Sequence, residues 1–336
     1  MKRQRGFTLI ELMISLVLFS FVIAGVLAVA VSMSQGYRDQ RQATQAEAAA
    51  RIPLDFITDA IRQASPGNGS NQIWDGYVCG SGGTSWGIEV FNNVGTGSAA
   101  NTDRLDVIYA SGAVLTSSRV QYTSASQTTL DVSDASQFGS GDAFVLSDTN
   151  KAVLLRVTGV SGNTLTLQAQ SCTGSNSSGY DKGSLVIRAQ HATFYIDYLD
   201  NGSGGYNPTL MFDPDADSST SNSEPIAEGV EDLQLVKLVD RSGNNYIEPE
   251  GTTTATQQVD EWLYNVTGDG SGSATWGLRG IRVNLVARTL GGLIGNLKSY
   301  NRPKVEDHAA AAANTDNYRR RVLRATVDIR NLSVSP

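Results

Sequence analysis

A run of 25 residues from Phe7 to Val31, FTLIELMISLVLFSFVIAGVLAVAV, is broken by a single charge, Glu11, and by no proline. As a helix at about 1.5 Å per residue it reaches roughly 37 Å, enough to cross a hydrocarbon layer about 30 Å thick. Lys2, Arg3 and Arg5 precede it, so the positive-inside rule places the N-terminus in the cytoplasm and the body outside. The charge balance agrees. Residues 1–31 hold three basic residues and one acid, which leaves 23 basic against 32 acidic residues in the remainder of a chain of net charge −7. A body this acidic lacks the basic face that nucleic acid requires, so no nucleic-acid partner is expected.

Two other readings of the run fit less well. A secretory signal has an apolar core of about 7–15 residues ending in a small-residue cleavage site, and Ser32, Ser34 and Gln35 form none. A plain anchor does not explain Glu11, because a carboxylate in lipid costs about 2.5–3.5 kcal/mol and usually has a partner. The stretch Lys2-Arg3-Gln4-Arg5-Gly6 followed by Phe7-Thr8-Leu9-Ile10-Glu11-Leu12 resembles the class III signal of type IV prepilins. That resemblance implies a membrane prepilin peptidase that cuts after Gly6 and methylates the new amine of Phe7. It also implies that Glu11 pairs with the N-terminal amine of a neighbouring subunit during filament assembly. The physics is consistent with both. Gly6 lets a backbone lie close to catalytic carboxylates, and pairing in lipid would offset two buried charges.

Beyond the membrane run, residues 32–64 continue as a helix. Ala46, Ala49, Ala50, Pro53, Ile57, Ala60, Ile61 and Ala64 lie near one stripe, and Arg38, Gln42, Gln45 and Asp55 lie on the other side. Pro53 predicts a kink or a break near Arg51-Ile52. Within the helix only Gly25 and Gly36 are soft points. Residues 65–110 open the head as a loop-rich stretch with Trp74, Tyr77 and Trp86.

A series of β signals then runs through 105–110, 119–123, 129–132, 143–147, 153–160, 164–169 and 185–197, with a tight turn at Ser161-Gly162-Asn163. Residues 111–197 read as an inserted β-rich subdomain. Residues 198–336 read as the C-terminal antiparallel sheet, in which 229–239 is central. Segments 281–288 and 323–331 pair there with one buried and one wet face. The fold class is α+β: a long N-terminal helix on an antiparallel head, with residues 1–6 as leader and 7–31 as the membrane and assembly helix.

The blocks EGVEDLQLVKLVD (228–240), LRGIRVNLVART (278–289) and YRRRVLRATVDIRNL (318–332) resemble PilW-type minor pilins, and GDAFVLSD (141–148) is similar to a β insert in that group. The J-type minor pseudopilin of type II secretion has similar blocks. The resemblance implies a structural role, with the other minor pilins and the major pilin as partners through the N-terminal helix. It implies residence in the inner membrane before assembly, and then at the pilus surface. A tip adhesin is a further partner it allows. The favoured function is a minor pilin that helps initiate the pilus and sits at or near its tip. The alternatives are a pseudopilin of a secretion tip complex, or an adhesin-like binding head built on the aromatic loops.

Chemistry is sparse, and no catalytic residue is assigned. Gly83-Thr84-Ser85-Trp86-Gly87 fits G-x-S-x-G but lacks a strand before it and a helix after it. His191 and His308 show no metal-ligand spacing, and Asp213, Asp215 and Asp217 lack the rest of a calcium loop. Asp240, Ser242, Asn244 and Glu248 stand where PilW-like sequences often carry an acidic turn. They are a candidate calcium set, against the alternative of a solvated turn. Arg319-Arg320-Arg321 reads as charge at a strand edge. Cys79 and Cys172 could form one disulfide outside the cytosol, or stand as two small hydrophobes.

Overall fold

The computed structural model describes residues 8–66, 73–75, 84–85, 87–116, 128–148, 152–168, 180, 182–214, 221–244, 246–251, 261–263, 277–290, 300–309 and 316–332. Gly6, Phe7, Cys79 and Cys172 lie outside these residues, as do the strand expected at 119–123 and Asp215 and Asp217.

One helix, α1 (Leu9–Arg62), spans 54 residues, about 81 Å at 1.5 Å each. It runs unbroken through Pro53, contrary to the break expected at Arg51-Ile52. Proline costs one backbone hydrogen bond, but Ala50, Pro53, Leu54 and Ile57 are all buried against the head, and that packing holds the helix on both sides. The stripe ends at Ala64, which is also buried; Leu54 and Thr58 belong to it as well.

The strands are β1 (Ile73–Asp75), β2 (Thr84–Ser85), β3 (Ile88–Phe91), β4 (Arg104–Thr116), β5 (Thr129–Asp131), β6 (Ala143–Ser147), β7 (Ala152–Ser161), β8 (Thr164–Leu167), β9 (Leu185–Asp200), β10 (Tyr206–Asp213), β11 (Glu224–Glu228), β12 (Val230–Asp240), β13 (Trp262–Leu263), β14 (Gly277–Arg288) and β15 (Arg320–Asp328). The first eleven form one sheet, in which β9 pairs with β4 along one edge and with β10 and β6 along the other. The last four form a second sheet in the order β13-β12-β14-β15. Gly229 makes the corner between the sheets. Its φ of +90° and the 3.0 Å from a built Cβ to the Arg288 carbonyl oxygen both demand glycine.

Two cores result. In the first, α1 buries Leu54, Ile57 and Ile61 against Leu105, Phe194, Leu233, Val283 and Leu285. In the second, Leu130, Phe138, Phe144, Leu155, Leu165 and Val186 pack together without the helix. Strand β9 passes from one core to the other, with β4 paired beside it. The β4 register slips between Ala110 and Val114. In β9, Val186 faces the second core whereas Phe194 and Ile196 face the first. The expected boundary at 197 thus falls inside β9.

Strands 281–288 and 323–331 were expected to carry a wet face. The pairing of β14 with β15 is antiparallel as expected, but Arg282 and Asn284 are 4% and 0% exposed. Residues 300–309 cover that face over β14 through Glu306, whereas on β15 and just past it Arg324, Asp328 and Arg330 are exposed as expected.

Candidate functional site

Two regions stand out: the free end of α1 and the polar face of the second sheet. At the helix start Thr8 is the N-cap. Its hydroxyl accepts from the Glu11 N–H at 3.3 Å, while Glu11 Oε2 accepts from the Thr8 N–H at 3.0 Å and from its hydroxyl at 2.9 Å. This is a capping box, which satisfies orphan donors at a helix end. The spacing Thr8-Leu9-Ile10-Glu11 is its sequence signature, and the sequence reading missed it.

From Leu9 to Val31 the helix is apolar and touches nothing: Ile10 is 66% exposed and Phe21 72%. It is the one helix among the described residues long and apolar enough to cross a membrane. The same rod therefore offers lipid or neighbouring helices an apolar surface below, while its upper third is consumed by the head. Glu11 is the single acid in that surface.

On the outer face of the second sheet Gln234, Asn284 and Arg324 stand in one register row across β12, β14 and β15. Glu306 reaches down from residues 300–309. Its Oε2 accepts from Arg282 at 2.6 Å, and its Oε1 accepts from Asn284 at 2.9 Å and Arg324 at 3.1 Å. Arg282 also bonds Glu250 at 2.7 Å, which holds the Glu250 carboxyl below its usual range. His308 Nδ1 lies 2.7 Å from Asp232 Oδ2, and its other ring nitrogen meets Arg302. Arg320 bridges Glu231 at 2.6 Å and Asp316 at 2.5 Å, and Arg319 lies over Tyr300. Of the basic triplet, Arg320 opens the edge strand β15, and its side chain is a buried ion-pair partner. Nothing in this cluster is arranged as nucleophile and base. It is a clamp that fixes a long segment to the sheet.

A second clamp joins the sheets. Asp103 accepts from the Leu235 N–H at 2.8 Å and the Asn93 N–H at 3.0 Å, and burial pushes its carboxyl up to about 8.

The four candidate calcium residues do come together. Asp240 Oδ1 accepts from the Gly243 N–H at 2.7 Å and the Ser242 hydroxyl at 3.3 Å, Asp240 Oδ2 bonds Arg279 at 3.3 Å, and Asn244 donates to Glu248 at 3.1 Å. These contacts close the turn within itself and put a guanidinium on the leading carboxylate. Among the described residues no group of three or more His, Cys, Asp or Glu is placed to hold a metal ion. His191 lies half-buried on β9.

Comparison with known proteins adds two matches. Residues 1–27 match the prokaryotic N-terminal methylation motif, and residues 193–331 match type IV pilus-assembly protein W. The second match begins where β9 enters the helix-packed core, so the GDAFVLSD stretch lies outside it. No curated protein matches the chain. The pilin-related families are structural, and the apolar helix with its methylation motif marks a membrane-anchored chain. A methylation motif at the start of a bare apolar helix, with a match to type IV pilus-assembly protein W over the strands folded on that helix's far end, supports a minor type IV pilin involved in pilus assembly.

Proposed function

We propose that the chain is a tip-proximal minor pilin that helps start the pilus. Prepilin peptidase cuts it after Gly6 and methylates the Phe7 amine. The head faces the periplasm before assembly and the cell surface afterwards. Glu11 then trades its capping-box contacts with Thr8 for the methylated amine of a neighbouring pilin, which sets the axial register of the helices. Major and minor pilins are the partners along α1.

One observation carries the tip placement. Residues 130–186 build a second core beyond the one packed on the helix. Where helices pack side by side, every added copy would bring that bulk to the same radius, so heads of this width fit best where no further layer follows.

The test is mass spectrometry of the protein from native membranes and sheared pili, with gold-labelled antibody against the second core. A chain starting at N-methyl-Phe7, with label at filament ends, is expected. Gly6→Ala and Glu11→Ala should each remove the protein from the pilus fraction. Label along the filament length would sink the tip placement. A processed chain absent from pili would point instead to a secretion pseudopilin.

A further inference from the structure

We propose that the free edge of β15 docks an extended strand from the head of a neighbouring, different pilin, one that sets an acidic side chain against Arg321. The inference rests on reading the chain as a pilin whose neighbours stand alongside α1.

Four strands end the two sheets: β11, β2, β13 and β15. β2 and β13 have two residues each. β11 carries Pro225, and its register against β10 slips between Leu210 and Met211. Short strands, prolines and bulges are the devices that blunt a sheet edge. β15 has none of them. It runs nine residues without proline or glycine and pairs with β14 in unbroken register from Arg320 to Asp328.

The bonds just beyond the ladder fix which way its main chain points. The Thr289 N–H donates to the Arg319 carbonyl at 3.0 Å, and the Ile329 N–H donates to the Arg279 carbonyl at 2.8 Å. Residues of an antiparallel strand alternate between bonding the partner and facing away from it. The odd-numbered residues therefore bond β14, and Val322, Arg324, Thr326 and Asp328 turn their N–H and C=O groups outward. All four residues are exposed. Among the described residues no main-chain group bonds those outward groups. Such a row is a template for strand addition, in which main-chain hydrogen bonds give affinity and alternate side chains give specificity.

Position and charge choose the occupant. The inner face of β15 lies on the helix, where Leu323 packs with Ala46 and Ala50. A subunit standing beside α1 thus brings its own head next to this edge. Arg320 and Arg324 are already held by Glu231, Asp316 and Glu306 of the same chain. Arg321 is exposed, and among the described residues no ion pair engages it. Beside it Val322 is 41% exposed. A strand with an Asp or Glu opposite Arg321 and an aliphatic residue beside Val322 matches both. The acidic β11 of a second copy is a poor match, because its proline and bulge blunt it.

The test is photocrosslinking in native membranes, with a benzophenone side chain in place of Val322 or Thr326 and, as control, of Glu224 on β11. Cross-linked peptides are mapped by mass spectrometry, and sheared pili from the same cells are assayed for the chain. Cross-links from both β15 positions should fall in one strand of another pilin-like subunit, with an Asp or Glu within reach of Arg321, at a yield well above the control. Thr326→Pro removes an N–H that the subunit itself does not use, so it should lower the cross-link from position 322 about tenfold. Thr326→Val keeps the N–H and should leave the yield intact. Arg321→Glu should lower it about threefold, and decides the matter if the proline variant does not fold. Only variants that keep the wild-type urea midpoint count. The proposal is overturned by cross-links scattered over several surfaces, by a second copy of this chain as the partner, or by an unchanged yield in folded Thr326→Pro or Arg321→Glu. Such results with the chain present in pili would sink the edge alone. A chain absent from pili but joined through β15 to one strand of a secretion pseudopilin would keep the edge and sink the pilus reading.

Discussion

On its inner face the second sheet meets α1 with Leu233, Val283, Leu285 and Leu323. On its outer face the same three strands meet residues 300–309 with Gln234, Arg282, Asn284 and Arg324. Gln234, Arg282 and Asn284 on the outer face are as buried as the leucines of the inner one, but by opposite means. The inner face gains from removing apolar area from water, at roughly 25 cal/mol per Å2, and tolerates imperfect geometry. The outer face takes charges out of water and recovers the cost only through complete pairing. Apolar burial degrades gradually, whereas a buried ion network fails when one member goes.

That contrast can be broken most sharply at Glu306, whose side chain is 4% exposed and ties three partners together. Glu306→Ala should cost about 3–5 kcal/mol in urea unfolding. The matching loss on the other face, Ile57→Ala, should cost about 2–5 kcal/mol by leaving a cavity. A Glu306→Ala cost under about 1 kcal/mol would mean that the outer face is solvated after all.

A pH-dependent effect concerns Asp103, between the sheets. Its folded pKa of about 8 lies above the unfolded value of about 3.9. Between those values the folded state keeps a proton that the unfolded chain has released. Asp103 therefore makes stability fall as pH rises from about 4 to 8, by at most about 1.4 kcal/mol per pH unit. Asp103→Asn should flatten that slope in unfolding curves taken across the range. An unchanged slope would assign the pH dependence to other groups.

The smallest effect is a control for exposed charge. Arg62 and Asp59 pair at 2.8 Å on the surface of α1, with side chains 47% and 62% exposed. Asp59→Ala should change stability by less than about 0.5 kcal/mol. A loss matching that of Glu306→Ala would erase the distinction between buried and exposed pairs.

The two faces also differ in how far they could be read from sequence. Ile281, Val283, Leu285 and Leu323, Ala325, Val327 alternate with polar residues, and that period gave the strands, their pairing and the inner face. It also led to reading Arg282 and Asn284 as wet. What buries them is residues 300–309, a stretch without periodicity whose Glu306 sits at φ +52°. No local pattern announces a segment that covers a sheet more than twenty residues away. The unbroken helix at Pro53 was missed for the same reason, since the packing that overrides the proline comes from distant strands. At the N-terminus the methylation motif and the apolar helix were legible because membrane insertion and processing read local sequence. The Thr8–Glu11 capping box was equally local, though it went unread.

Strand β9 contributes side chains to both cores, and β4 runs paired beside it from Leu105 to Thr116. The inserted unit is thus joined to the helix-bearing half by two covalent backbones side by side, not by one linker and a docked surface. A tug on the inserted unit would travel along two main chains into the sheet beside α1. The two halves cannot swing apart as beads on a string do; to part them, the strands themselves must unravel.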